Sequence, residues 1–414
     1  MRIAVIGSGI AGLGSAWMLS RTHEVVLFEK NKTPGGHTDT HDIHLGGQRH
    51  AVDTGFIVFN HEHYPLLTRL FAELGVQTQP TTMSFSAHEE GSGLEYNAGS
   101  LAGLFCQPRN LTSPRFWRML RDLRRFYHEA PELLCQTPPG PTLGEYLQSN
   151  RYSPAFRDFH LVPMASALWS SPSRGILEFP AIELVRFMAN HHMLQISGRP
   201  EWRVVSGGSQ RYVDAMRRRW NVEERLDCPV RSVRRHLAQV NVHSAAGIEP
   251  FDQVVLACHS DDALALLGDA SETERAILGD LGYQDNDVVL HTDAGVLPVH
   301  RRAWAAWNAY IPADHDAPCS VSYWMNALQS IESSEPLIVS LNRSQQISPE
   351  RILRRMTYRH PVQTLASATA RRRKTEIQGK RGIWFAGAYW GYGFHEDGLR
   401  SAIEIADALG ANSA

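Results

Sequence analysis

The first 30 residues restrict what this chain can fold into more than any other stretch. Arg2 to Ile6 reads as a buried parallel strand, Gly7-Ser8-Gly9-Ile10-Ala11-Gly12 supplies GxGxxG, and Leu13 to Ser20 continues as a helix. A second strand, Glu24 to Phe28, delivers Glu29 seventeen residues after Gly12. Strand, glycine turn, helix, strand and acid is the order a dinucleotide requires. Gly7 permits the tight turn, Gly9 lets a pyrophosphate approach the backbone, and Gly12 lets helix and strand pack closely. Ile10 and Ala11 open a helix whose amino terminus faces the phosphates. Glu29 can accept both hydroxyl hydrogens of an adenosine ribose and repels a 2'-phosphate. NAD and FAD both satisfy this much.

The next stretch separates them. Lys30 to Pro34 leads into Gly35-Gly36-His37-Thr38, and Asp53-Thr54-Gly55-Phe56 follows. A glycine doublet soon after the ribose acid resembles the FAD-dependent amine oxidase and phytoene desaturase superfamily. That resemblance implies an α/β fold: a Rossmann-like FAD-binding domain of the amine oxidase/glutathione reductase type with an interleaved α+β substrate domain. It also implies extended FAD, with Lys30, Gly36, His37, Thr54, Gly55 and Phe56 along it.

Beyond Phe59 the pattern turns helical. Tyr64 to Leu74 is an amphipathic helix ending at Gly75, and Thr82 to Ser86 with Gly93 to Asn97 suggests two short strands. Pro114 to Ala130, Thr142 to Asn150, Pro154 to Val162 and Pro180 to Asn190 read as helices, with Pro163 marking a break. α/β signals return over residues 201 to 260, where Phe251 to Cys258 reads as one apolar strand. Val288 to Thr292, Ala303 to Tyr310 and Cys319 to Met325 supply strands for a substrate sheet. The expected division gives 1–59, 201–275 and 376–414 to the cofactor domain, and 60–200 and 276–375 to the substrate domain. By the resemblance, Val230 contacts adenine through its backbone and Ala257 ends a strand near the cofactor.

The tail offers a second glycine turn. Gly382 to Ala386 is a short strand that reaches Gly387-Ala388-Tyr389-Trp390-Gly391-Tyr392-Gly393, and Phe394-His395-Glu396-Asp397-Gly398 leads into a helix from about Leu399 to Leu409. A helix amino terminus here would stabilise negative charge on a reduced flavin. The arrangement resembles the closing FAD motif of the same superfamily. That implies Gly387 and Ala388 by the pyrophosphate or ribityl part, Phe394, Glu396 and Asp397 in the closing turn, and amides of Gly398 and Leu399 toward the isoalloxazine.

Three segments narrow the resemblance: Asp53 to Asn60, Tyr323-Trp324-Met325-Asn326, and Gly391 to Leu399. They look like a bacterial group of NAD/FAD-binding proteins similar to the flavin-binding amino-terminal part of plant cyclopropane-fatty-acid synthases. The group is also similar to desaturases that dehydrogenate methyl-branched acyl chains on the way to furan fatty acids. What this implies is an FAD-dependent dehydrogenase, desaturase or oxidase for modified or unsaturated fatty acyl lipids, with a cyclopropane-fatty-acid synthase-like methyltransferase as a partner. The rival expectations are an amine oxidase-like enzyme for a small amine and a flavin-stabilised partner of a lipid methyltransferase. With no second nucleotide fingerprint, oxygen, a quinone or another protein is the expected electron acceptor.

His395 abuts the predicted flavin turn and is the acid/base expectation. Tyr323 and Trp390 are the aromatics expected beside the reacting carbon, drawn from a set that includes Trp169, Phe179, Phe187, Tyr310, Trp324, Tyr389, Tyr392 and Phe394. His41/His44, His61/His63 and His191/His192 have no ligand set beside them in sequence, so no metal is expected. Five scattered cysteines without a CxxC predict a reducing, cytoplasmic setting rather than a disulfide framework. A formal charge of -2 gives no reason to expect nucleic acid. Charge is uneven, however: Arg109, Arg115, Arg118, Arg121, Arg124 and Arg125 cluster around Asp122 alone. With Trp117, Leu120, Leu123 and Tyr127 as an apolar face, 114–130 is an expected site of transient contact with the inner membrane surface.

Overall fold

The computed structural model describes residues 1–169, 173–314 and 319–411, so 412–414 of the expected closing segment lie outside the described residues. A five-stranded parallel sheet, ordered Val222–Arg225, Glu24–Phe28, Arg2–Ile6, Gln253–Leu256 and Ile383–Phe385, gathers strands from across the chain. Its central strands are apolar on both sides because both sides are covered, while the edge strand Val222–Arg225 is polar. Ile3, Val5, Val25 and Leu27 pack under the helices Ile10–Leu19 and His395–Ala408. Ala4, Ile6, Val26 and Phe28 pack against an antiparallel meander of Val230–His236, Gln239–Ser244 and Gly247–Phe251.

Phe251 to Cys258 is not one strand. Asp252 divides it: its amide donates to the Arg2 carbonyl at 2.9 Å and its carboxylate accepts the Arg2 amide at 2.7 Å. Phe251 therefore closes the meander, and Gln253–Leu256 enters the parallel sheet.

The second large layer is a seven-stranded sheet, ordered Ile352–Pro361, Tyr283–His291, Ile338–Leu341, Ser320–Trp324, Trp307–Ile311, Phe85–Glu89 and Leu94–Asn97. All its pairs are antiparallel except that of Trp307–Ile311 with Phe85–Glu89. Helices of the middle segment pack beside it, including Pro114–Glu129 and Val162–Trp169.

Pro163 does not break its helix. Arg157–Leu161 widens into a π-helix and Val162–Trp169 continues from it. Proline lacks the N–H that would bond the carbonyl four residues back. That carbonyl, of Phe159, instead accepts the Tyr96 hydroxyl at 2.7 Å. A side chain from the neighbouring sheet replaces the missing main-chain donor.

The segment 60–80, expected in the substrate part, packs with the cofactor part. Pro65–Leu74 ends at Gly75 in the left-handed region (φ 69°) and buries Leu67, Leu70, Phe71 and Leu74 in the cluster that contains Ile3 and Leu13. Its amphipathic pattern predicted burial but could not say against what.

Asp53, wholly buried, ties the layers together. Its carboxylate accepts the Ser209 amide and hydroxyl (2.9 and 2.8 Å), the Thr40 hydroxyl (2.5 Å) and the Gln329 amide (2.9 Å). Burial is the largest influence on it and raises its pKa from 3.8 to about 6 against the lowering effect of those bonds. A carboxyl raised on folding contributes most to stability while protonated, and loses that contribution as pH rises through the folded value. Wild type should therefore lose stability relative to Asp53→Asn between about pH 4 and 6. Urea midpoints of both proteins across that range check this; parallel curves would show that Asp53 does not titrate there.

Candidate functional site

The glycine turn is built by close approaches. Gly7 has φ +102° and a Cβ there would lie 2.8 Å from the Ala257 carbonyl oxygen. A Cβ on Gly12 would lie 1.8 Å from the Gly7 oxygen. Gly9 differs, since a Cβ there would meet nothing within 4 Å. The turn is packed behind and open in front, at the amino terminus of the helix that Ile10 and Ala11 begin.

Glu29 is buried beside this opening. Its carboxylate accepts the Ser8 amide and hydroxyl on Oε2 (3.0 and 2.6 Å) and the Asn31 amide on Oε1 (2.8 Å), and Oε1 keeps lone-pair capacity for a ribose hydroxyl. Lys30 next to it is exposed. The Glu29 carbonyl accepts the Cys228 amide at 2.9 Å, which brings the turn before Val230 to the same edge.

The glycine doublet closes on the first turn. Gly36 has φ +61°, and a Cβ there would lie 2.8 Å from the Gly9 Cα. The Phe56 amide donates to the His37 carbonyl at 2.7 Å, and a Cβ on Gly55 would lie 2.1 Å from that oxygen. Thr54 hydrogen-bonds the Tyr358 hydroxyl at 2.6 Å. His37, His259 and His360 form a ring cluster, with centroids 5.8 and 5.3 Å from His37. Burial holds all three below the ordinary histidine pKa, and repulsion from neighbouring histidines adds to it at His259 and His360. The His37 Nε2 is buried without a hydrogen-bond partner. An unpartnered buried nitrogen beside an open glycine turn and a ribose acid fits an extended FAD. Gly7, Gly9, Gly12, Glu29, Gly36 and His37 would hold its ADP half, and Gly55 and Phe56 lie farther along.

The closing motif meets this edge. The helix spans His395–Ala408, starting four residues before the expected Leu399. A Cβ on Gly398 would lie 2.7 Å from Ile10, so the first turns of the two helices touch. Gly387 donates its amide to Ser401 at 2.9 Å, and the Ala388 carbonyl accepts the Gly391 amide at 3.0 Å.

Several expected roles change. The Glu396 side chain turns to a neighbouring helix: its carboxylate accepts the Leu66 and Leu67 amides, each at 3.0 Å, and caps Pro65–Leu74. Asp397 accepts the Tyr392 and Phe394 amides (2.9 and 3.1 Å) and so shapes the glycine turn. Gly398 gives its amide to the Phe394 carbonyl at 3.1 Å, and Leu399 sits one residue deeper in the helix. The first-turn amides left for a ligand are those of His395 and Glu396.

His395, the expected acid/base, is buried and packed. Its ring stacks on Phe56 with centroids 3.8 Å apart, and its Nε2 hydrogen-bonds Thr38 at 3.1 Å. Burial lowers its pKa to about 3, so it stays neutral. Tyr323 gives its hydroxyl to the Ala167 carbonyl at 3.1 Å and packs in the seven-stranded sheet's cluster. Trp390 donates to the Phe385 carbonyl at 2.8 Å and packs on the meander side of the parallel sheet. Tyr323 and Trp390 thus pack in different clusters.

What it gathers instead is an aromatic wall against the closing turn. Phe187 stacks on Phe394 (5.1 Å, interplanar 16°), with Tyr392 at 5.5 Å and Trp169 at 4.8 Å from Phe187. The Trp169 Nε1 donates to the Tyr392 carbonyl at 3.2 Å, which links the middle helices to the glycine turn. Spacing in the sequence could not pair residues this far apart.

Residues 10–283 match the model of the family described as flavin containing amine oxidoreductase. The chain belongs to this family. It is an FAD-dependent oxidoreductase of the amine-oxidase superfamily, with FAD as its cofactor. Similar folds occur in putrescine oxidase (TM-score 0.70, 14% identity, 100% of both chains) and in cyclohexylamine oxidase from Brevibacterium oxydans IH-35A (0.69, 16%, 99% of both). The CLA-producing fatty acid isomerase from P. acnes is also similar (0.68, 14%, 100% of this chain and 99% of that one). At these identities the likeness is one of fold. No curated protein matches the chain by sequence.

Replacing Glu29 with alanine leaves the Ser8 and Asn31 amides without their acceptor and removes the ribose acid. FAD affinity should fall about tenfold or more, since each lost charged hydrogen bond is worth about 1.5–3 kcal/mol. Titration of apoprotein with FAD, followed by flavin fluorescence, checks this; unchanged affinity would remove Glu29 from the site.

Proposed function

We propose that this oxidoreductase acts on modified or unsaturated fatty acyl chains of lipids and meets them at an anionic membrane surface. The observation that carries this reading is one continuous patch built from two distant segments. The helix Leu101–Leu104 lies beside Arg301–Ala303, and Phe105 contacts the Trp117 ring at 5.7 Å. On this patch Leu101 (76%), Leu111 (54%), Trp117 (49%) and Val299 (83%) are exposed. Arg109, Arg115, Arg118, Arg121, Arg124, Arg301 and Arg302 are exposed with them. Neither 99–125 nor 294–304 has an exposed carboxylate, because Asp122, their only acid, is buried.

The expected apolar face of Pro114–Glu129 is corrected here. The core side is Phe116, Met119 and Phe126, and Trp117 points outward with its Nε1 on the Leu111 carbonyl at 2.8 Å. Outward tryptophan among arginines suits the headgroup layer. No helix among the described residues is long and apolar enough to cross a membrane, so contact would be peripheral to the bilayer.

The aromatic wall of Trp169, Phe187 and Phe394 offers apolar contact that an acyl chain can use. The P. acnes isomerase is named for a fatty acid, so an acyl chain is compatible with this architecture by analogy of fold. Bound FAD supplies the hydride acceptor. The chain's own residues supply orientation: the His395–Ala408 helix presents its positive end, and Phe56 and His395 hold each other in place.

Anaerobic mixing of the oxidised enzyme with vesicles of extracted phospholipid should bleach the flavin; bleaching by small amines and not by lipid would overturn the reading. Binding to anionic vesicles should exceed binding to zwitterionic ones. It should weaken at least about tenfold in Trp117→Ala/Arg118→Glu, given roughly 1 kcal/mol per surface cation.

A further inference from the structure

The sequence places His61 and His63 far from His191 and His192, with no ligand set beside either pair. Folding supplies one. Glu62 and His63 lie in the turn before Pro65–Leu74, and His192 follows the helix Ala181–Asn190. One ligand atom from each of Glu62, His63 and His192 lies within 4.8 Å of the others.

The hydrogen bonds of the two imidazoles decide what these atoms present. Asn60 Oδ1 accepts the His63 main-chain amide at 2.8 Å, which identifies it as the oxygen, and it lies 2.9 Å from His63 Nδ1. His63 Nδ1 therefore carries the hydrogen and its Nε2 a lone pair. His192 Nδ1 lies 3.2 Å from the Gly198 carbonyl, which can only accept. In the neutral imidazole its Nε2 is then a lone pair, 3.1 Å from the Glu62 carboxylate. A proton satisfies that pair as an imidazolium–carboxylate bridge, whereas a metal ion satisfies it and draws in His63 as well. A ligating histidine whose other nitrogen donates to an oxygen is the usual outer shell of a zinc site.

The end of the helix sets the direction of His192. It has φ 51°, the left-handed residue of a turn that closes Ala181–Asn190. Two main-chain bonds to the preceding helix hold it, His192 to Ala189 (3.1 Å) and Met193 to Met188 (2.8 Å). The bend swings the imidazole away from its own helix and over the turn that contains Glu62. His191 meanwhile stacks on both His63 (4.8 Å) and Phe187 (4.0 Å).

We propose that Glu62, His63 and His192 bind one Zn²⁺, which clamps the turn before Pro65–Leu74 to the end of Ala181–Asn190. Three protein ligands leave a fourth position for water. The site lies behind the aromatic wall: Glu396 caps Pro65–Leu74, and Phe187 on Ala181–Asn190 stacks on Phe394. The ion would hold together the two elements that frame Phe394. A second group, His259 with Asp261 and Asp262, is a poorer ligand set because Arg359 already pairs with both carboxylates.

The test uses tag-free, FAD-loaded protein stripped with a chelator, then titrated with Zn²⁺ against a chromophoric competitor. Wild type should bind one ion tightly and melt at a higher temperature with it. His63→Ala and His192→Ala should each lower affinity about tenfold or more and lose the thermal shift. Glu62→Gln, at an exposed position that tolerates change, should lower affinity with its flavin content intact. His259→Ala should bind as wild type does. Absence of tight binding by wild type, or equal affinity in Glu62→Gln, His63→Ala and His192→Ala, would overturn the proposal.

Discussion

The structure depends on a contact with no room for a side chain. The oxygen of Gly7 sits where a Cβ on residue 12 would be, at 1.8 Å. This approach sets the helix Ile10–Leu19 hard against its sheet and aims its first turn at the cofactor edge. The same economy of space recurs where Gly398 meets Ile10 and where Gly14 meets Leu399. Helix amino termini brought side by side concentrate partial positive charge, and an anionic dinucleotide is what such an edge suits.

Around that edge the chain uses acids as fasteners more than as reagents. Glu29 secures the first turn, Asp397 the last, Glu396 a neighbouring helix, and Asp53 the junction between layers. Each accepts main-chain amides that would otherwise be left unsatisfied in a buried place. Histidines near the site are likewise neutral and packed, as His395 on Phe56 shows. The protein's polar groups position; the redox capacity belongs to the cofactor.

The local parts of this were legible in the sequence. Gly7, Gly9, Gly12 and Glu29 follow from spacing within one strand-turn-helix-strand unit, and Gly75 ends its helix where the pattern stops. Parts that depend on distant partners were not legible. Nothing beside Glu396 shows that its carboxylate is needed 330 residues away, at Leu66. Pro163 reads as a break because the rescuing hydroxyl, on Tyr96, belongs to another sheet. His395 looked reactive from its neighbours in sequence, whereas Phe56, Thr38 and burial decide its state.

The closing helix has a consequence for how the protein comes into being. Residues 395–408 cover Ile10–Leu19, cap Pro65–Leu74 through Glu396, and complete the turn that faces the flavin. During synthesis the dinucleotide fingerprint emerges long before the helix that covers it. Stable cofactor capture thereby waits for that helix, and retained flavin becomes a report that it has docked.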